Sequence, residues 1–324
     1  MILTRTPLRI SFCGGGSDIK NYYREHEGAV LSATINKYVF LSLHPYFYGN
    51  KYFLKYSKSE LVDHLSQIQH PIIRQVFKDF RIGFVDLSSS ADVPSGTGLG
   101  SSSAFCVGLA NLCCAYTNRY MSRENLARYA CEVEIDKLKE PIGKQDQYGC
   151  AIGGLNFFSF KQDGSVTIER IYMDLEKRSS FGQNLLMFYT GQTRYASAIL
   201  NEQNKNTKSK QKVKLLHKMV GLAGDLKKEL LEGNIDRTGE ILHEAWMCKK
   251  DLALGISNAN IDRCYDLALK AGASGGKLLG AGGGGFLLFY VKKDKQAKVR
   301  KALSHLKEMP FRFESQGTVI AHHE

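Results

Sequence analysis

The chain has 324 residues, of which 43% are hydrophobic and 23% charged, an ordinary globular composition and a length that suits two packed domains. No stretch approaches the roughly 20 apolar residues of a bilayer span, because the most apolar one, Ala104–Ala115, is interrupted by Asn111. The sequence opens on a strand pattern rather than a leader-like segment, so we expect a cytoplasmic protein without membrane attachment.

Eight cysteines are present, mostly within apolar runs, and they show neither a C-x-x-C pair nor histidines at metal spacing. This pattern predicts buried free thiols in a reducing compartment rather than a disulfide framework or a metal-thiolate site.

The formal net charge is +12, and two lysine-rich runs, 205–218 and 292–301, carry much of it. Neither run is interleaved with aromatic residues on which bases would stack, so we interpret both as solvated helix faces and expect no nucleic-acid partner. A positive field still favours anionic small molecules.

The predicted elements alternate between strands and helices in the first half of the chain and become mainly helical in the second half. Strands are predicted over Thr4–Phe12, Gly28–Ile35, Tyr38–Tyr46, Tyr52–Tyr56, Ile82–Ser88, Phe157–Phe160, Val166–Ile171, Leu185–Tyr189, Phe286–Val291 and near Arg312–Ala321. Helices are predicted over Glu60–Gln67, Ile72–Phe80, Ser101–Tyr116, Ser122–Leu138, within Tyr195–Leu254, over Ile261–Ala271 and before Leu306. The change of character places a boundary near residues 174–184.

The strongest local motif is the segment Pro94–Ala104, PSGTGLGSSSA, between a strand and a buried helix. Its three alternate glycines allow backbone N–H groups to approach a ligand, and the following helix N-terminus favours phosphate. A Walker A loop is excluded because no lysine is present, and a dinucleotide fingerprint because the spacing is G-x-G-x-G. A serine-capped glycine turn is the alternative.

A second glycine-rich segment, Lys277–Phe286, contains four consecutive glycines, and we predict the order helix, glycines, strand around it. Four glycines are costly in chain entropy, so the backbone must pass close to a ligand or to the other glycine loop.

Two further segments carry candidate polar groups. Pro7–Asp18 is a strand with Arg9 at an alternating position, ending in three glycines and an acid, which alone could be a turn capped by Asp18. Gly143–Gly149 places Asp146 next to apolar, glycine-containing chain, where a buried carboxylate would need a purpose, although a lone Asp among polar residues is usually exposed.

In this order and spacing, the four motifs resemble those of the GHMP kinase family over nearly the whole chain, and the segment Pro94–Ala104 matches the family pattern P-x-G-x-G-L-G-S-S-x-A. The opening R-I-S-F-x-G-G-G-S/T-D is most similar to kinases of D-glycero-D-manno-heptose 7-phosphate. Galactokinases have Glu-His where this chain has Gly15 and Gly16, which disfavours galactose as substrate.

The resemblance implies an α+β, two-domain GHMP kinase fold with mixed sheets packed against helices, an N-terminal domain over 1–178 and a C-terminal domain over 179–324. It implies ATP-dependent phosphorylation, with Mg²⁺, of the anomeric hydroxyl of heptose 7-phosphate to the 1,7-bisphosphate, a step towards nucleotide-activated heptose for capsule or lipopolysaccharide. The partners would be ATP and a sugar phosphate, and a homodimer is compatible with the pattern.

The resemblance also implies roles for individual residues. Asp146 would be the catalytic carboxylate and Arg9 its catalytic partner. The expected ATP-binding residues are Pro94, Gly96, Gly98, Leu99, Gly100, Ser101, Ser102 and Ser103. The expected substrate-binding residues are Ser11, Gly14, Gly15, Gly16, Asp18, Arg194, Gly282 and Gly283. Ser102 and Glu134 would hold Mg²⁺, with Glu132 a rival by sequence alone, and Arg194 would meet the phosphate of the substrate because guanidinium suits bidentate phosphate binding.

Two alternatives to this function stay open at this point. The chain could be another sugar 1-kinase, similar to fucokinases. It could also be a non-catalytic ligand sensor that kept the fold, which the joint presence of Arg9, Ser102, Glu134 and Asp146 disfavours.

Overall fold

A computed structural model of the chain describes residues 1–192, 199–200, 202 and 209–324. It has an α+β architecture with two sheets, as predicted. The strands are β1 Ile2–Cys13, β2 Gly28–Pro45, β3 Tyr52–Lys55, β4 Ser59–Val62, β5 Val85–Ala91, β6 Leu155–Phe160, β7 Val166–Arg170, β8 Leu185–Tyr189, β9 Gly275–Leu278, β10 Phe286–Tyr290, β11 Lys307–Glu308 and β12 Val319–His323.

The described helices pack against these sheets. They are α1 Lys20–His26, α2 Pro71–Phe80, α3 Ser101–Tyr116, α4 Arg123–Cys131, α5 Gln145–Ile152, α6 Leu175–Gln183, α7 Lys210–Glu232, α8 Thr238–Lys250, α9 Ala259–Lys270 and α10 Gln296–Ala302. Short 3₁₀ turns lie at Leu65–Gln67, Ile235–Arg237 and Lys293–Lys295, and a π-helical turn at Glu132–Lys137. Among the described helices, none combines the length and the apolar character needed to cross a membrane.

The larger sheet has eight strands, with the order β12-β1-β2-β5-β3-β4 and with β6 and β7 joined to β2. It is mixed, because β3 and β5 run parallel while the other pairs are antiparallel. The predicted strands Gly28–Ile35 and Tyr38–Tyr46 form the single strand β2, which pairs with three neighbours. The smaller sheet has the antiparallel order β11-β8-β10-β9.

The last strand crosses back to the first. β12 pairs with β1, for example Ile2 with His323, so residues 319–323 extend the sheet formed by the first half of the chain. The division at 178 and 179 stays a prediction.

Helix α3 lies at the centre of the core, as its apolar sequence predicted, and it packs on β1 and β2. All eight cysteines are buried free thiols, which confirms that prediction.

Two predicted elements are wrong. The helix over Glu60–Gln67 is the strand β4 followed by a 3₁₀ turn, because Glu60 accepts hydrogen bonds from the Tyr56 hydroxyl and the Gln69 N–H and β4 pairs with β3. The segment before the four glycines is the strand β9 and not a helix. The predicted helix over 122–138 is confirmed in extent, as an α-helix to Cys131 that continues as a π-helical turn to Lys137.

Candidate active site

The loop between β5 and α3, residues 92–100, is called the phosphate loop below, and it has the backbone conformation that its glycines predicted. Gly96, Gly98 and Gly100 have φ values of +74°, +83° and +77°, in the left-handed region that side chains rarely adopt. The loop is fixed on the first strand, because the Arg9 N–H donates to the Leu99 carbonyl at 3.0 Å and the Leu99 side chain is buried. Ser101 begins helix α3, so the helix N-terminus faces the loop as phosphate binding requires.

The two glycine-rich loops pack against each other, which decides between the alternatives left open for the second loop. A Cβ built on Gly98 would lie 2.5 Å from the Leu279 carbonyl oxygen, and one built on Gly280 would lie 2.4 Å from the Gly98 Cα. A Cβ on Gly285 would likewise lie 2.4 Å from the Thr97 oxygen. The glycines are therefore needed for close contact between the loops, and the loops fix each other's position.

Arg9 and Asp146 form an ion pair beside the phosphate loop. Arg9 Nε donates to Asp146 Oδ1 at 2.8 Å, and the Arg9 Nη2–Asp146 Oδ1 distance is 2.7 Å. Arg9 Nη1 also donates to the Gly98 carbonyl at 2.7 Å. Gly100 and Gly149 leave room for the Arg9 side chain, since a Cβ on either would lie 3.2–3.4 Å from it.

This pair combines a fixed cation with an accessible acceptor. The Arg9 side chain is 3% exposed, whereas that of Asp146 is 27% exposed. Asp146 lies in the first turn of α5, a position where the helix dipole favours a carboxylate. A hydroxyl that enters the site can therefore meet a partly exposed carboxyl acceptor whose partner, Arg9, is held by the phosphate loop.

Glu134 lies next to the start of α3, on the π-helical turn. Its Oε1 accepts a hydrogen bond from Ser102 Oγ at 2.8 Å, and its Oε2 accepts from Ser103 Oγ at 2.8 Å and from Gln147 Nε2 at 2.7 Å. The side chain is buried, and this burial raises the pKa of Glu134 to about 7, while the three hydrogen bonds offset part of the rise. The rival Glu132 is exposed and pairs with Lys137, so Glu134 is the acid that faces the phosphate loop.

The residues present fit a bound Mg²⁺. The Ser102 hydroxyl and the Glu134 carboxylate are hard oxygen donors, which this ion prefers, and they adjoin the phosphate loop. Within the described residues, no three His, Cys, Asp or Glu side chains form a complete metal cage. An ion at this place would thus rely on phosphate oxygens and water for its other ligands, as nucleotide-bound Mg²⁺ does.

The first glycine turn is connected to α5 through Asp18. Asp18 Oδ1 accepts from the Gly16 N–H at 2.9 Å and from Gln145 Nε2 at 3.1 Å, and Oδ2 accepts from the Gln145 N–H at 3.1 Å. Asp18 is buried, and burial raises its pKa. Its carboxylate therefore holds the helix that carries Asp146 against the turn at residues 14–16, and contact between Asp18 and a sugar hydroxyl stays a prediction.

The structure brings most of the predicted site residues together around β1, the phosphate loop and α5. Ser11 Oγ is buried without a hydrogen-bond partner among the described residues, and it lies 3.6 Å from the position of a Cβ on Gly15. Gly14 packs on the backbone of Ala29, where a Cβ would lie 1.8 Å from the carbonyl oxygen. Packing against Ala29 therefore requires a glycine at position 14.

Two predicted substrate-binding residues, Gly282 and Gly283, contact a different segment of the described chain. The Gly283 N–H donates to the Ile256 carbonyl at 2.9 Å, and Gly282 also packs on Ile256, so substrate binding by these two glycines stays a prediction. Arg194 lies outside the described residues, and its role is likewise untested.

Sequence reasoning did not select four residues that the structure places at or near the site, namely Gln145, Gln147, Lys249 and Lys277. The two glutamines flank Asp146, and their alternation with it in Lys144–Tyr148 was the available signal. The lysines are buried in the second half of the chain, and no local pattern distinguishes them from the many surface lysines.

Comparison with known proteins agrees with this geometry. Residues 61–154 match the GHMP kinases N terminal domain, and residues 226–308 match the GHMP kinases C terminal domain. The chain is 31% identical over 315 residues to a D-glycero-alpha-D-manno-heptose 7-phosphate kinase of Campylobacter jejuni, with 93% of each chain covered. It is 28% identical to a bifunctional fucokinase/GDP-fucose pyrophosphorylase of Arabidopsis thaliana, covering 90% of this chain and 30% of that protein.

Among solved structures, the crystal structure of a D-glycero-D-manno-heptose 1-phosphate kinase from Bacteroides thetaiotaomicron is similar over 100% of both chains, with a TM-score of 0.83 and 25% identity. Both halves of the sequence, the fold and the site residues thus lead to one assignment. The chain belongs to the GHMP kinase family, and it is an ATP-dependent kinase.

Proposed function

We propose that this sugar kinase transfers the γ-phosphate of ATP to the anomeric hydroxyl of D-glycero-D-manno-heptose 7-phosphate, forming the 1,7-bisphosphate and ADP. The observation that carries the proposal is the Arg9–Asp146 ion pair, which is joined to the phosphate loop at Gly98. The similarity to the heptose 7-phosphate kinase of Campylobacter jejuni supports the choice of sugar.

In the proposed reaction, the sugar O1 forms a bond to the γ-phosphorus while the bond from that phosphorus to the β,γ-bridging oxygen breaks. Asp146 orients the hydroxyl and accepts its proton, and ADP leaves with the electron pair of the broken bond. Arg9 keeps Asp146 in place and opposes the negative charge that develops on the transferred group. Because this transition state is loose, we expect positioning to contribute more than proton removal.

Ser102 and Glu134 would hold Mg²⁺ beside the ATP phosphates. When bound, the ion neutralises charge on the phosphate oxygens. Ser103 and Gln147 would position the Glu134 carboxylate through its second oxygen, at 2.8 and 2.7 Å. The remaining loop residues, Pro94 to Ser101, would surround the phosphates with backbone N–H groups.

The names of the two heptose kinases above differ in the position of the phosphate on the substrate, which is 7 in one and 1 in the other. The test therefore has to vary the starting sugar. A coupled ADP assay with heptose, its 7-phosphate, its 1-phosphate, L-fucose and common hexoses would show which one is consumed. We expect the 7-phosphate to be preferred, whereas exclusive consumption of the 1-phosphate would overturn the proposed position of transfer.

A second candidate, L-fucose, is favoured by the similarity to the Arabidopsis fucokinase over 90% of this chain. Fucose carries no phosphate, so preference for fucose over every heptose would replace the proposed substrate while leaving the kinase chemistry unchanged. If none of the sugars in this panel causes ADP release, the result would support a non-catalytic ligand sensor.

A further inference from the structure

Two buried lysines near the active site have no role in the reaction as proposed above. Lys249 lies on α8 with 5% of its surface exposed, and Lys277 lies on β9 with 2% exposed. A buried ammonium group is costly unless it is paired or fully hydrogen-bonded. Their burial therefore indicates a ligand or a partner of opposite charge.

Neither lysine has such a partner in the described part of the chain. Lys249 Nζ donates to the Gly280 carbonyl, and Lys277 Nζ donates to the Phe12 carbonyl at 2.8 Å. No carboxylate of the described residues lies within ion-pair distance of either ammonium. Because an ammonium has three N–H donors, each lysine retains donors beyond its single carbonyl contact.

The groups that act electrostatically on Lys249 are Lys277, Arg9, Asp18 and Asp146. Asp146 is already paired with Arg9, and the pKa of Asp18 is raised by burial. Three cations thus act in this region together with two carboxylates, one of which is already paired. Burial lowers the pKa of Lys249 well below its ordinary value and lowers that of Lys277 to about 8, as expected for cations that lack a counter-charge.

We propose that Lys249 and Lys277 together bind the phosphate group that the sugar substrate already carries. Phosphate supplies several acceptor oxygens and a double negative charge, which matches two ammonium groups with free donors. This inference rests on the proposed function, and it assigns to these lysines the anchoring role that the sequence suggested for Arg194.

The positions of the carbonyl partners suit this role. Phe12 lies three residues beyond Arg9 on β1 and two residues before Gly14 of the turn at residues 14–16, roughly 10 Å along the strand from the ion pair with Asp146. Gly280 packs against Gly98 of the phosphate loop. The carbonyl partners of the two lysines thus lie on the segments that carry the sugar-binding turn and the second glycine-rich loop, and the proposal requires one end of the sugar to reach the lysines while its anomeric hydroxyl meets Asp146.

The test compares Lys249→Met and Lys277→Met with the control Lys250→Met, which removes a lysine on the same helix that pairs with Asp262 at the surface. For each enzyme, kcat/KM is measured for heptose 7-phosphate and for unphosphorylated heptose, together with the KM for ATP. We expect Lys249→Met and Lys277→Met to lose about 10²-fold in kcat/KM with the phosphorylated sugar. The free sugar, the KM for ATP and the control should change less than about threefold.

The outcomes separate the two proposals. A wild-type enzyme without preference for the phosphorylated sugar would contradict the proposed function itself. A wild-type preference that survives in both variants, or equal losses with both sugars, would overturn the lysine site alone. A raised KM for ATP would assign the lysines to the nucleotide's phosphates instead.

Folding is checked in the same variants by denaturant unfolding. Because Lys249 is buried without a counter-charge in the described residues, we expect Lys249→Met to unfold at the same or a higher denaturant concentration than the wild type. If it does not fold, Lys249→Gln replaces it in the kinetic comparison, because the amide is uncharged and can still donate a hydrogen bond. Full wild-type preference in Lys249→Gln would then overturn the site.

Discussion

Arg9 Nη2 lies 2.7 Å from Asp146 Oδ1, although the two residues are 137 positions apart in the sequence. The strand β1 supplies the arginine and the first turn of α5 supplies the carboxylate. The same guanidinium donates to the Gly98 carbonyl. One side chain therefore fixes the distance between the phosphate loop and the proposed acceptor of the hydroxyl proton.

We predict that Asp146→Asn lowers kcat by about 10²-fold or more and leaves the affinity for ATP nearly unchanged. The amide can still accept a hydrogen bond from Arg9, but it cannot take a proton. Steady-state kinetics with ATP and sugar varied separately measures both effects. The matched control is Asp136→Asn, which weakens an exposed pair with Lys20. Wild-type kcat in Asp146→Asn would remove this residue from the mechanism.

We predict that Ser102→Ala combined with Glu134→Gln raises the Mg²⁺ concentration needed for half-maximal activity. The two side chains meet through a 2.8 Å hydrogen bond, and the double change removes one oxygen ligand and the negative charge. Mg²⁺ titration of activity at fixed ATP is the measurement. Glu132→Gln, on the same turn but paired with Lys137 at the surface, is the control. Superimposable titrations of the double variant and the wild type would contradict the metal assignment.

The pKa of Glu134 has a consequence for the stability of the metal-free protein. Burial raises this pKa from 4.5 to about 7, so between these pH values the folded protein keeps a proton that the unfolded chain has released. This term therefore makes the free energy of unfolding fall as pH rises from about 4.5 to 7, by on the order of 3 kcal/mol at most. Above pH 7 both states are ionised and the term is constant.

Urea unfolding of the wild type and Glu134→Gln across this pH range measures the effect. The free energy of unfolding of the wild type should fall relative to that of Glu134→Gln as the pH rises, because the variant lacks the titrating carboxyl. Parallel curves would show that Glu134 is not protonated in the folded protein.

We predict that Gly98→Ala lowers the free energy of unfolding by about 1–3 kcal/mol and raises the KM for ATP. Its φ of +83° is strained for alanine, and the new Cβ would lie 2.5 Å from the Leu279 oxygen. Gly49→Ala is the matched control, since Gly49 has a φ of +97° and open space around its Cβ position. The loss of unfolding free energy in Gly98→Ala beyond the loss in Gly49→Ala measures the contribution of the contact between the two glycine-rich loops. Equal losses would show that this contact contributes nothing.

The sequence predicted the parts of the site that local patterns determine. The phosphate loop, the buried helix α3 and the strand carrying Arg9 follow from glycine spacing and periodicity within short windows. The choice of Glu134 over Glu132 depended on a family resemblance, because both acids lie on one helical pattern. The π-helical turn explains the choice, as it directs Glu134 to Ser102 and leaves Glu132 at the surface.

Other features depend on long-range contacts and could not be predicted. The strand β9 contains Gly275 and Gly276, which lower strand propensity, and its pairing with β10 decides its conformation. The return of β12 to the first strand joins residues more than 300 positions apart, such as Ile2 and His323. The burial of Lys249 and Lys277 likewise arises from tertiary packing, whereas lysine alone predicts exposure.

The last prediction concerns the preference for a phosphorylated sugar and the role of Arg194. The chain has a net charge of +12. It has Gly15 and Gly16 where galactokinases have a Glu-His pair that could bind a sugar. A distant phosphate would then supply much of the substrate affinity, and each charge-assisted contact is worth about 1.5–3 kcal/mol. We therefore predict that kcat/KM for heptose 7-phosphate exceeds that for heptose by roughly 10²-fold or more.

If Arg194 shares in this contact, Arg194→Ala reduces that preference and leaves the KM for ATP nearly unchanged. Steady-state comparison of both sugars in wild type, Arg194→Ala and Lys249→Met assigns the phosphate contact, because each variant removes one cation. Loss of preference in both variants would indicate that the arginine and the lysines bind one phosphate together. If Arg194→Ala keeps the wild-type preference for the phosphorylated sugar, Arg194 does not bind the substrate phosphate. Removal of a guanidinium that binds this phosphate would lower kcat/KM for the sugar phosphate more than kcat/KM for the free sugar.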